Sequence, residues 1–168
     1  CKQACCAGAG CLMAPKSETG QQAQVFKAFS TWPPSGERGV AFSRANLFGA
    51  TFDDYAVFAQ KPLLVGMIET AAGVENIEEI LRVNCLDAIF IGPYDLSASL
   101  GVLADFQHQI FLDALHEVKA AADKYQVALG MHVVEPNVSL VRERISEGYT
   151  FVARSMDSVF LRQSARYE

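Results

Sequence analysis

Residues 63–101, LLVGMIETAAGVENIEEILRVNCLDAIFIGPYDLSASLG, constrain the fold more than any other stretch. Two short apolar runs, ending at Ile68 and Ile91, flank one helix-length amphipathic segment. Unbroken apolar runs of this length suit strands buried on both faces, which are strands of a parallel sheet. Each run ends in an acid, Glu69 or Asp95, just past the C-terminal end of its strand. In a parallel α/β protein, acids one βα repeat apart emerge side by side on one rim.

The same alternation runs through the chain. Strands are expected near residues 11–15, 63–69, 88–92, 127–134 and 149–153. Between and after them lie helical patterns. Ser17 is placed as the cap of a helix with Ala23, Val25, Phe26 and Phe29 on one stripe. Residues 32–39 (WPPSGERG) form a loop, residues 40–49 an irregular excursion, and Thr51 caps a short helix through Phe58. Further helices are expected over 74–83 and 107–125, the latter with Ile110, Leu112, Ala114, Leu115, Val118 and Ala121 at helical spacing. Another begins near Pro136 and ends at Gly148, and a last one opens at Asp157. Repeated βα units without hairpin signals make a parallel sheet, either open or closed. A (β/α)8 barrel needs eight units and about 250 residues. Five units in 168 residues fit the C-terminal part of one.

Composition adds exclusions. A chain 51% hydrophobic and 20% charged folds rather than staying disordered. A net charge of −5 argues against nucleic acid or an anionic membrane as partner. No apolar run reaches the ~20 residues that span a bilayer. The first residues have no signal-peptide layout, but the chain does not begin with Met, so this does not fix its location; a cytoplasmic location is the expectation. Cys1, Cys5, Cys6 and Cys11 crowd the start at spacings that fit no common zinc pattern. They are expected as free thiols in a poorly ordered segment, 1–10, with Cys85 buried in the remaining domain, 11–168.

Glu69 and Asp95 are the candidate metal ligands. Mg2+ often takes one or two carboxylates and completes its shell with water and substrate oxygens. A 2-oxo acid offers a carboxylate and a keto oxygen, and the ion would act as a Lewis acid as an enolate forms. The structural alternative is that Glu69 caps a helix and Asp95 is an N-cap. Gly92-Pro93-Tyr94-Asp95 turns from strand to helix, where successive N–H groups face an anion such as a substrate carboxylate. Arg38 is a candidate rim arginine for pairing with a carboxylate. His132, near the end of the fourth strand, is a candidate general base, with a hydrogen-bonded structural His as the alternative. His108 and His116 read as surface residues.

The residues resemble the HpcH/HpaI aldolase family of metal-dependent 2-oxo acid aldolases. The resemblance rests on Leu12-Met13-Ala14-Pro15, the 33–40 loop PPSGERGV, Ile68-Glu69-Thr70 and the long motif DAIFIGPYDLSASLG at 87–101. It implies a TIM barrel with Glu69 and Asp95 as ligands of Mg2+, Mn2+ or Co2+. It implies that the Gly92–Asp95 backbone receives the pyruvate carboxylate and that Phe90 lines the pocket. The implied reaction is cleavage of a 4-hydroxy-2-oxo acid to pyruvate and an aldehyde, in a homo-oligomer when the chain is full length. The family's first three βα units carry a catalytic His and an Arg that meets the keto oxygen. They have no counterpart here, so an N-terminally incomplete barrel is expected. Other readings are a CoA-thioester lyase of the citrate lyase β type and a truncated, inactive barrel that at most binds.

Overall fold

The computed structural model describes residues 1–166. The last two positions of the expected 11–168 domain lie outside the described residues. The elements in chain order are α1 (Lys2–Ala7), β1 (Cys11–Ala14), α2 (Gly20–Ser30), a 3-10 segment (Arg44–Gly49), α3 (Phe52–Ala59) and β2 (Leu63–Ile68). Then come α4 (Ala71–Glu75), α5 (Ile77–Arg82), β3 (Ala88–Ile91), α6 (Pro93–Ser99), α7 (Gln109–Tyr125), β4 (Ala128–Val133), α8 (Val138–Ser146), β5 (Phe151–Arg154) and α9 (Asp157–Ser164). The five strands pair in sequence order, all parallel. This is a partial TIM barrel, with each strand placed where the apolar runs put it.

Alternate strand residues face opposite sides. Leu64, Ile68, Ile89, Ile91, Leu129 and Met131 pack outward on the helix layer, where Ile77, Ile80, Phe111 and Val118 complete the main core. Val65, Ala88 and Phe90 form a second cluster with Met13, Met67 and Ala153 on the other, inner face. Glu69 continues the alternation of Val65 and Met67 and belongs to that inner face.

Local chemistry moves several expected boundaries. Thr19, not Ser17, caps α2: it accepts from the Gln22 N–H, and Gln22 reaches back to the Thr19 N–H in a capping box. Ser17 instead donates its hydroxyl to the Ala14 carbonyl. Val25 and Phe29 are half exposed, because α2 buries Gly20, Ala23 and Ser30. The 74–83 helix is two pieces hinged at Asn76, and the first starts earlier, capped by the Thr70 side chain. On α7 the buried stripe is Phe111, Ala114, Val118, Ala121 and Ala122, with Ile110 and Leu112 exposed. His108 caps this helix through Nδ1, which accepts from the Ile110 N–H; it is half-buried, not a plain surface residue.

The cysteine-bearing start is ordered helix, which corrects the expected loose segment. Cys5 is fully buried in the main core, whereas Cys85 is only partly buried. A small thiol at this spacing packs like any small apolar group. All five thiols are free, as expected. No helix among the described residues is long and apolar enough to cross a membrane.

Candidate active site

The register brings three residues level. Ile68 pairs with Ile91 and Ile91 with Met131, so Glu69, Gly92 and His132 follow as one row across β2, β3 and β4. His132 itself pairs with Ala153. All four have inner-face parity. Neighbouring strands lie about 4.8 Å apart, so the row is compact.

Glu69 is pinned from both sides in the chain, by the end of β2 and by Thr70 as the cap of α4. It is therefore not a cap itself. The side chain is 7% exposed. Its Oε1 accepts a hydrogen bond from the Lys16 N–H at 2.9 Å. Lys16 holds a left-handed backbone, φ 47°, to make that bond. Backbone strain of this kind gathers at ligand sites. The partner is a main-chain N–H just past β1, which carries no residue-type signal; the acid of that rim, Glu18, accepts instead from the Thr70 hydroxyl at 2.8 Å. The other Glu69 carboxylate oxygen lies over Gly92, where a Cβ would meet Glu69 Oε2 at 3.0 Å and its Cβ at 3.1 Å. Glycine at 92 is thus needed for close approach by the carboxylate, a more specific reason than turn geometry.

Asp95 lies in the first turn of α6, whose cap is Gly92 and whose first residue is Pro93. Its carboxylate is exposed and has no ion-pair partner among the described residues. Of the expected carboxylate-binding amides, Gly92 is already committed: its N–H donates to the Ile68 carbonyl at 3.2 Å. Pro93 has no N–H. The free donors of this turn are the N–H groups of Tyr94 and Asp95, among the first of the helix, which have no intrahelical partner. Tyr94 is 40% exposed and meets Phe106 edge-on. Phe90, two residues before Gly92 on the inner face, packs on the Phe151 ring at 5.3 Å and over Gly130, forming the floor below the row.

Glu69 and Asp95 are the candidate acidic donors; no cluster of three or more His, Cys, Asp or Glu able to hold a metal occurs among the described residues. That set suits a hard divalent cation that keeps water and substrate oxygens in its shell. It does not suit a closed structural metal site.

Arg38 does not join this site. It follows the C-terminal end of α2, away from the rim, and is 2% exposed. Its guanidinium stacks on Trp32 and Tyr55 and reaches the Tyr55 hydroxyl at 3.4 Å. That hydroxyl in turn donates to the Cys5 carbonyl of α1, which precedes β1. The loop carrying Arg38 thus lies beneath the N-terminal ends of the strands. A cavity of about 370 Å³ between α7 and α8 is lined by Phe111, Leu115, Met131, Leu140 and Arg144, among others, and touches His132. It opens mainly on the helix layer and does not include Glu69 or Asp95, so the inner face is the better site candidate. The thiols of Cys11 and Cys85 are both pushed up, chiefly by burial, which makes them poor nucleophiles.

A sequence profile described as HpcH/HpaI aldolase/citrate lyase matches residues 1–164. The chain belongs to the HpcH/HpaI family. The 4-hydroxy-2-oxovalerate aldolase of Novosphingobium aromaticivorans is 36% identical over 160 residues, 94% of this chain and 59% of that protein. The 5-keto-4-deoxy-D-glucarate aldolase of Klebsiella pneumoniae is 34% identical over 147 residues, 87% of this chain and 57% of that protein. The chain thus spans well under two thirds of these curated relatives. A crystal structure of an HpcH/HpaI aldolase/citrate lyase family protein from Burkholderia cenocepacia J2315 superposes with a TM-score of 0.90 at 34% identity, covering 98% of this chain and 65% of that one. The HpcH/HpaI profile begins at residue 1, so it takes in the cysteine-bearing helix as well.

Proposed function

We propose that the inner face around Glu69 is the metal and 2-oxo acid half of a class II aldolase site. The observation that carries this is the buried Glu69 carboxylate, held by the Lys16 N–H and laid over Gly92, one βα unit from the free Asp95. Glu69 and Asp95 would hold Mg2+, Mn2+ or Co2+. A divalent cation there supplies Lewis-acid stabilisation of charge on the substrate's keto oxygen. The N–H groups of Tyr94 and Asp95 receive the substrate carboxylate at the start of α6. Phe90 and Phe151 form the apolar floor beneath it. The substrate is a 4-hydroxy-2-oxo acid, cleaved to pyruvate and an aldehyde, as the names of the relatives support.

We place this chemistry in the cytoplasm. Copies of the chain are expected to associate, which the exposed Phe42, Phe48 and Phe58 support.

The test is exchange of the pyruvate C3 protons in deuterated water, followed by proton NMR. Exchange that requires added Mg2+ or Mn2+ and is lost in Glu69→Gln supports the reading. Exchange that ignores both metal and Glu69→Gln refutes it.

A further inference from the structure

The concave row holds one polar side chain besides Glu69, and its surroundings fix what that side chain can do. His132 Nε2 lies 3.1 Å from the Ser155 carbonyl oxygen. A carbonyl can only accept, so Nε2 carries the proton, and in the neutral ring Nδ1 is left as a lone-pair acceptor. Nδ1 has no partner among the described residues, and His132 is only half-buried. The residue holding it is unusual in two ways. Ser155 has φ 56°, a left-handed backbone that a residue with a Cβ rarely adopts. Its hydroxyl is buried and unpartnered. The Ser155 N–H donates to the Val133 carbonyl at 2.7 Å, so the strained residue is fastened to β4 one position beyond His132. In this conformation the carbonyl of Ser155 faces the imidazole.

We propose that His132 is the catalytic acceptor on the aldehyde side, with Ser155 as its positioning residue. This rests on the aldolase reading of the Glu69 face. His132 stands level with Gly92 on the next strand. The C4 hydroxyl of a 4-hydroxy-2-oxo acid donates to Nδ1. As the C3–C4 bond breaks, that proton passes to Nδ1 and the C4–O bond becomes the aldehyde carbonyl. The C3–C4 electron pair becomes the C2–C3 double bond of the pyruvate enolate. The ring is then an imidazolium that the Ser155 carbonyl steadies through Nε2–H, and it returns the proton to C3 or to water.

Two measurements on the whole chain test this. The chain has three histidines, so nitrogen-15 NMR of labelled protein assigns His132 as the signal missing in His132→Leu. If that variant does not fold, His132→Gln takes its place. The expected spectrum shows Nε2 protonated and Nδ1 bare in the neutral ring, with the same tautomer in Ser155→Gly, which keeps the carbonyl. A neutral ring protonated at Nδ1 overturns the proposal. The second measurement compares binding of 4-hydroxy-2-oxopentanoate and 2-oxopentanoate in Mg2+ by calorimetry. A buried hydrogen bond is worth roughly a tenfold preference for the hydroxy acid, abolished in His132→Leu while 2-oxopentanoate binding stays within twofold. Equal binding of the two acids by the native chain overturns the His132 assignment alone. Binding of neither overturns the aldolase reading and this assignment with it.

Discussion

Gly92→Ala is the most telling single change, because the structure sets its size. A methyl at 92 would lie 3.0 Å from Glu69 Oε2, 3.1 Å from Glu69 Cβ and 3.7 Å from Met67 Sδ. Backbone strain is not the issue, since φ −93° and ψ 93° are open to alanine. The carboxylate cannot simply swing away, because Oε1 is held by the Lys16 N–H. The Cβ–Cβ contact is tied to two backbones, so β2 and β3 must part by a few tenths of an ångström. Overpacking of this kind costs about 1–3 kcal/mol. Lower entropy of the unfolded chain offsets about 0.4–1 kcal/mol of it, leaving a net loss of about 0–2.6 kcal/mol. The larger effect falls on the ligand. With its carboxylate displaced, Mn2+ affinity should drop at least tenfold, equivalent to about 1.4 kcal/mol. Urea unfolding gives the first quantity and Mn2+ titration by electron paramagnetic resonance the second. Gly10→Ala is the control, since a Cβ there meets nothing within 4 Å. Gly92→Ala protein that binds Mn2+ as tightly as the native chain would refute the placement of Glu69 over Gly92 as the metal-binding arrangement.

Other expectations follow from the core and from the far end of the barrel. Phe111 is 1% exposed at the centre of the α7 stripe, so Phe111→Ala should lose about 3–5 kcal/mol in urea unfolding. The buried Arg38 leaves Nε and one terminal nitrogen unpartnered. Arg38→Met should therefore stay within about 1 kcal/mol of native stability, as stacking lost on Trp32 and Tyr55 is offset by removal of a buried charge. Its Mn2+ affinity should be unchanged, and fluorescence of the single Trp32 reports the local repacking. Burial, and then the nearby Glu147 charge, push the Tyr149 phenol above its ordinary value, with Arg144 opposing. The fold thus prefers the neutral phenol. Its contribution is complete below the unfolded pKa of about 10 and is lost as pH rises through the higher folded value. Native protein should therefore lose more stability than Tyr149→Phe between pH 9 and pH 11, read as the urea midpoint. Equal slopes would contradict it.

The strands were legible because β2 and β3 are buried on both faces, and continuous apolar runs of five or six residues have few other uses. The rim positions of Glu69 and Asp95 were legible for the same reason, as acids that follow the ends of such runs. What sequence could not supply were partners distant along the chain. Ser17 and Thr19 are both good caps in isolation, and only Gln22, closing its box onto Thr19, decides between them. Arg38 looked like a rim arginine because arginines pair with carboxylates. It instead lies beneath the strands between two rings, an environment created by Trp32 and Tyr55 from separate segments. The Gly92 amide looked free until the register gave it the Ile68 carbonyl. Lys16 gave no signal at all, since its contribution is a main-chain N–H that any residue would bring. His132 was visible as a residue but not as an oriented one, because the Ser155 carbonyl that orients it lies a whole βα unit away.

On the proposed reading, Glu69 and Asp95 together hold one divalent cation. The direct measurement is an Mn2+ binding isotherm for the native chain, Glu69→Gln and Asp95→Asn, each with and without pyruvate. Both carboxylates are needed if the ion sits between them. The prediction is one site in the native chain that pyruvate tightens, and a loss of at least tenfold in each variant. Binding that survives in either variant, or that pyruvate leaves unmoved, would contradict the claim.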